Sequence, residues 1–165
     1  MSELFYIIDD SGLLSLTDVA CYKSFLSEDW TYEGIVEHFE KEMEKRSVLV
    51  WDCGDGGDSY SVEVRRRITE EHGIRAFEGS ITASDGKLHI ISYSSLTMAA
   101  QFEDERLPSF HEATNCIEVE RGTYRVRIIQ LFDPARTEET PAPDFIIELE
   151  AGDAPICRSI PWLRT

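Results

Sequence analysis

The sequence predicts an α+β fold, an antiparallel β-sheet or β-sandwich built of hairpins, with two helices near the N-terminus. Three observations carry this. Short alternating apolar runs dominate after residue 47, glycine-bearing turn signals separate them, and two helix-period stripes precede them. At 165 residues, the simplest organisation is a single domain over 1–165 with one substantial core.

The elements follow in chain order. Strands are expected at Leu4–Ile8 and Leu13–Leu16. Thr17 or Asp18 can cap a helix in "VACYKSFL", where Val19, Tyr22, Phe25 and Leu26 share a face. Asp29 or Thr31 can cap a second in "YEGIVEHFEKEMEKR", with Ile35, Phe39 and Met43 on the buried stripe and Glu37 placed to pair with Lys41. In "VLVWDCGDGGDSYSVEVRR", a loop over Gly54 to Gly57 would set Trp51 against Tyr60 and Leu49 against Val62. In "ITASDGKLHI", a type I′ turn at Asp85-Gly86 would pair Ala83 with Leu88 and Ile81 with Ile90. In "IEVERGTYRV", a turn at Arg121-Gly122 would pair Val119 with Tyr124, Ile117 with Val126 and Glu118 with Arg125. Further strands are expected at Thr123–Phe132 and Asp144–Glu150, and the stretches 94–115 and 133–144 read as long surface loops.

Charge narrows the function classes. There are 32 Asp and Glu against 16 Lys and Arg, a net −16. Such a field repels nucleic acid and anionic membranes and attracts basic proteins. The N-terminal stretch carries acids where an export signal needs Lys or Arg, and no apolar run approaches the roughly 20 residues of a membrane helix. Cys21, Cys53, Cys116 and Cys157 show no ligand spacing and read as reduced, mostly buried thiols of a cytoplasmic protein.

Motifs for chemistry are scarce, and no catalytic residue, metal ligand or cofactor is assigned. Asp52, Asp55 and Asp58 sit among glycines, but the helices and the alternate-position oxygens of a calcium loop are missing, so turn chemistry explains them first. No GxSxG, HExxH or GK[ST] is present. His38 and His89 read as solvated surface, whereas His111 and Glu112 share a long loop with no role that the sequence supplies. The "RRR" at 65–67 reads as a set of partners for nearby carboxylates.

The acids themselves are the remaining candidate. Glu37, Glu40, Glu42 and Glu44 crowd one helix, Glu103, Asp104 and Glu105 sit in one loop, and Glu138 and Glu139 in another. With Trp30, Tyr32 and Phe102 interleaved, they can form a docking face for a basic partner. Complementary charge of this kind raises association rates toward about 10⁸–10⁹ M⁻¹s⁻¹ at low salt.

The order "EDWTYEG", "RSVLVW", "DGKLHIIS" and "ERGTYRVRI" resembles small bacterial proteins of the competence nuclease-inhibitor type over roughly residues 30 to 130, on Asp29-Trp30, Leu88 to Ser92 and Gly122-x-Tyr124. The chain departs from that pattern in its longer helical segment and its acidic 133–144 loop. It is similar, too, to immunity proteins encoded beside secreted bacterial toxins. The resemblance implies a non-enzyme that binds and silences a nuclease. The expectation is an immunity protein covering the active site of a basic toxin or nuclease, the partner being a secreted bacterial toxin domain. Its contacts would be Trp30, Tyr32, Glu37, Glu40, Glu44, Glu103, Asp104, Glu105, Glu138 and Glu139. The alternative is a small-ligand-binding or regulatory β-sandwich protein without catalysis.

Overall fold

A computed structural model describes residues 2–9, 11–54, 59–136, 138 and 143–163. Nine strands and two α-helices are formed among them, in the order β1 (Ser2–Ile8), β2 (Leu13–Thr17), α1 (Tyr32–Glu44), β3 (Val48–Asp52), β4 (Ser59–Arg65), β5 (Arg75–Ala83), β6 (Lys87–Ser92), α2 (Tyr93–Gln101), β7 (Cys116–Glu118), β8 (Gly122–Gln130) and β9 (Phe145–Ala151). The α+β class is as expected, and the strands divide into two sheets. One has the order β1-β4-β9-β8-β5 and the other β3-β2-β6-β7. All pairings are antiparallel except β4 with β9, which is parallel.

None of the three expected hairpins forms. At each of those turns the chain leaves one sheet and enters the other: β3 to β4, β5 to β6, and β7 to β8. Asp85-Gly86 is a bend in which Gly86 takes φ +83° while Asp85 does not enter the left-handed region. A type I′ turn needs both residues there, so the strands part instead of pairing. Of the loop expected over Gly54 to Gly57, residues 55–57 lie outside the described residues. The inward faces of the first two are nonetheless as expected, while in the third Ile117 and Val126 are buried and Val119 and Tyr124 only half-buried. Trp51, Tyr60, Leu49, Val62, Ala83, Leu88, Ile81 and Ile90 are all buried in one core cluster that draws on both sheets. The aromatic contacts of this cluster cross between sheets: Trp51 of β3 lies 6.3 Å from Phe77 of β5 and 5.8 Å from Phe145 of β9, centroid to centroid. Gly79 of β5 permits this closeness, because a Cβ there would sit 2.8 Å from Leu49 Cδ2.

The helices are placed differently from expectation. Helix α1 forms as read, capped by Thr31, whose Oγ1 accepts from Gly34 N at 3.0 Å, with Ile35, Phe39 and Met43 buried. The segment 19–26 is not helical. Its backbone finds tertiary partners instead: Lys23 N donates to Glu42 Oε1 at 2.8 Å, and Leu26 N and Ser27 N both donate to Ala100 O. A short stretch gains little from an isolated turn when fixed acceptors already satisfy its donors. The second helix lies much later, at 93–101, inside the region expected to be loop.

Several surface assignments also change. His38 and His89 are buried, not solvated, and Glu42 is buried at the foot of α1. Its carboxylate accepts from Lys23 N, Lys45 Nζ and Ser47 Oγ, so it braces the irregular segment rather than joining an acidic face. Of the four free cysteines only Cys53 is buried; Cys21 is exposed, and Cys116 and Cys157 are half-buried. Among the described residues, no helix is long and apolar enough to cross a membrane.

Candidate functional site

Strand β6 ends at Ser92, which also caps α2, its Oγ accepting from Ser95 N at 3.3 Å. Leu96, Ala99 and Ala100 bury one face of α2, leaving Ser94 and Met98 exposed. The chain then turns through 102–109 into a single 3₁₀ turn, Phe110–Glu112. Between this loop, α2 and the end of β1 lies an open cleft of about 580 Å³. Ile8, Met98 and Leu107 supply its apolar lining, Ser95, Ser109 and His111 contribute hydroxyls and an imidazole, and Asp9, Glu105 and Arg106 are its ionisable side chains.

The polar lining is ordered by a buried carboxylate. Glu112 is almost completely buried, and its two oxygens accept from Ser92 N at 2.8 Å and from Ser109 Oγ at 3.0 Å. The hydroxyls form a directed chain: Ser92 Oγ donates to Ser95 Oγ, which is 3.1 Å from Ser109 Oγ, which donates to Glu112. Every donor in the chain is thereby used. His111 Nδ1 stands 3.4 Å from Ser109 Oγ, whose proton is directed to Glu112. The cluster holds the loop against β6 and α2, and its serine is not presented to the imidazole as a nucleophile to a base.

Around the cleft the surface is apolar and acidic. Phe110 is 99% exposed, and Ile8, Met98 and Phe102 are also exposed. Glu103, Asp104 and Glu105 follow Phe102 directly, all exposed and with no ion pair among the described residues. A centre of apolar side chains with a charged rim is the usual anatomy of a protein-binding patch.

The other expected contact residues lie on different elements. Glu37 and Glu44 are exposed on α1, but Glu37 pairs with Lys41 and Glu44 with Arg158, each at 3.1 Å. Glu40 is half-buried, Trp30 packs partly buried against the core, and Tyr32 is exposed beside a smaller hollow shared with Tyr93. Glu138 is exposed between β8 and β9, and Glu139 lies outside the described residues. Of the expected acids, Glu105 lines the cleft and Glu103 and Asp104 adjoin it. Sequence reading missed Ile8, Met98, Leu107 and Phe110. The signal for α2 was there, a serine cap followed by Leu96, Ala99 and Ala100 at helical spacing, hidden among polar residues.

Elsewhere, Asp52 Oδ1 accepts from Gly54 N at 2.7 Å, an Asx turn, while Asp55 and Asp58 lie outside the described residues. Two members of the arginine run have carboxylate partners as expected: Arg65 with Glu63 and Glu148, and Arg66 with Glu3.

No protein-family model and no curated protein sequence matches the chain. Two solved structures are similar in fold. "Crocagin biosynthetic gene J" superposes with a TM-score of 0.58 at 15% identity, covering 93% of this chain and 99% of that one. ComJ from Bacillus subtilis, an inhibitor of the DNA-degrading activity of NucA, gives 0.52 at 12% identity, covering 91% and 96%. The resemblance to the competence nuclease-inhibitor type is therefore real at the level of fold. Its three matching positions fall just before α1 (Asp29-Trp30), on β6 (Leu88 to Ser92) and at the start of β8 (Gly122-x-Tyr124).

Proposed function

We propose that this chain is an inhibitory binding protein, an immunity protein of a bacterial cytoplasm that covers the active site of a basic toxin or nuclease and performs no catalysis itself. The observation that carries this reading is Phe110. An aromatic ring held 99% in solvent, beside a cleft with apolar walls and near three carboxylates that form no ion pair among the described residues, costs solubility unless a partner covers it. The net −16 selects a cationic partner and repels nucleic acid. ComJ, of the same fold, silences a nuclease, and that lends support to an inhibitory role here.

In this reading Phe102, Phe110 and the cleft form the anchor, and Glu103, Asp104 and Glu105 stand in for the anionic substrate at the toxin's cleft. Glu37, Glu40, Glu44, Glu138 and Glu139 add long-range attraction, with Trp30 and Tyr32 at the N-terminal end of α1. An interface of roughly 800 Å² per partner would suffice. The test is capture from bacterial lysate at low and then high salt, by the wild-type chain and by Phe110→Ala. A basic protein held at low salt, released at high salt and lost with Phe110→Ala is the expected result. Capture of nothing basic by the wild type would end the proposal.

A second reading has one specific observation in its favour: the cleft's size and its mixture of Ile8, Met98 and Leu107 with convergent hydroxyls suit a small, largely apolar ligand. Native mass spectrometry of the protein purified from its own host would reveal such a ligand as a mass adduct, which the inhibitor reading does not expect.

A further inference from the structure

Strand β1 is an edge. It ends the five-stranded sheet, and all seven of its residues pair with β4 on one side. Among the described residues, no backbone group of β1 bonds to any other strand. Its side chains alternate: Ile7 is fully buried, whereas Leu4, Tyr6 and Ile8 are 52%, 68% and 74% exposed. Proteins usually guard such an edge with charge, proline or a bulge. Here the strand's one charged residue, Glu3, is neutralised by Arg66. An unguarded apolar edge is a template for another strand.

The charge layout says which strand. At its Ser2 end, paired with Arg65, lies a cleft of about 430 Å³ lined by Ser2, Arg65, Arg66, Arg67 and Thr69, with no carboxylate among the lining residues. Arg67 is exposed and forms no ion pair among the described residues. At the Ile8 end lies the other cleft, where Glu105 and its exposed neighbours Glu103 and Asp104 outnumber Arg106. A seven-residue strand spans about 23 Å at roughly 3.3 Å per residue. That exceeds the ~8 Å screening length of physiological salt, so the two ends act separately.

We propose that two copies of this chain associate through antiparallel β1–β1 pairing, forming one continuous sheet across a two-fold axis. The two-fold sets the arginine end of each copy against the acidic end of the other, so the charge contact is made twice. Registers in which Tyr6 faces Tyr6 or Leu4 of the second copy keep all six exposed apolar side chains on one face. The global −16 of each copy opposes association, so the dimer is reversible and held by local complementarity.

Sedimentation velocity of the full chain at about 0.15 M salt, up to about 100 µM, tests this. A monomer–dimer equilibrium is expected. Tyr6→Lys, whose site is solvent-exposed, should weaken it at least about tenfold with an unchanged melting temperature. Arg67→Glu and Glu105→Arg should each weaken it several-fold, and the double variant, which restores opposite charges at both contacts, should return to within about threefold of wild type. A wild type that stays monomeric at the top concentration, as expected if the edge serves only a foreign strand, overturns the proposal. So does a dimer indifferent to Tyr6→Lys, or a double variant no better than the single ones.

Discussion

Trp51 of β3 meets Phe145 of β9 edge to face, with centroids 5.8 Å apart and planes at 67°, across the gap between the two sheets. Both rings are fully buried, and Trp51 Nε1 has no hydrogen-bond partner among the described residues. Trp51→Ala should therefore cost about 3–5 kcal/mol through the cavity it leaves. Trp51→Phe should cost less, about 1–2 kcal/mol, because it also removes an orphaned donor. Urea unfolding of the two variants checks the order, and equal losses would contradict it.

Arg127 and Glu148 face each other in the β8–β9 register, with Nη1 donating to Oε1 at 3.0 Å. Glu148 is completely buried, and its carboxylate also accepts from Thr69 N and Oγ1 and stands 4.0 Å from Arg65 Nη1. Arg127→Ala leaves that buried carboxylate with only the more distant Arg65, 4.0 Å away, as a cationic partner and should cost about 3 kcal/mol, whereas the double change Arg127→Met, Glu148→Met should cost well under the sum of the single ones. Denaturant midpoints of the three variants measure the coupling.

Acid should weaken the fold in two stages. Burial holds both His38 and His89 below the ordinary histidine value. The unfolded chain then binds protons near pH 6.5 that the native chain refuses, so their contribution is complete above about 6.5 and is lost as pH falls through the native values. For Glu42, burial alone would raise the pKa, but hydrogen bonds from Lys23 N, Lys45 and Ser47 outweigh it and hold the carboxyl below its usual range. Its contribution is complete above the unfolded value of about 4.3 and is lost as pH falls through the lower native value. Melting temperature against pH should show both stages, the upper one shallower in His89→Phe and the lower one reduced in Glu42→Gln.

Phe110→Ala should leave the melting temperature within about 1 °C of wild type, since the ring makes no buried contact, yet weaken partner binding about tenfold or more. Replacing Glu103, Asp104 and Glu105 by their amides should instead slow association and flatten its salt dependence. Surface plasmon resonance with the captured partner separates the two effects: off-rate for the ring, on-rate for the acids.

The period-two pattern of the sequence determined which side chains point inward, because alternation is a property of a single extended strand. Tyr60, Val62 and Val64 turn in while Ser61 and Glu63 turn out, and this holds whatever lies beside the strand. Helix α1 was equally legible, since its cap and its Ile35, Phe39 and Met43 stripe are local. The pattern does not say whether an inward residue meets its neighbour beside it in one sheet or opposite it in another, because burial is satisfied either way. Only the tertiary structure settled that Trp51 faces Phe145 and that three glycine turns are passages between sheets.

The site divides on the same line. The acidic run Glu103–Glu105 was visible because charge is read residue by residue. The cleft was not, because its walls come from the end of β1, one face of α2 and the loop after it, the loop being held to the start of α2 by the buried carboxylate of Glu112. Long-range packing alone decides such a convergence, since residues 8 and 107 carry no mark in the sequence of being neighbours.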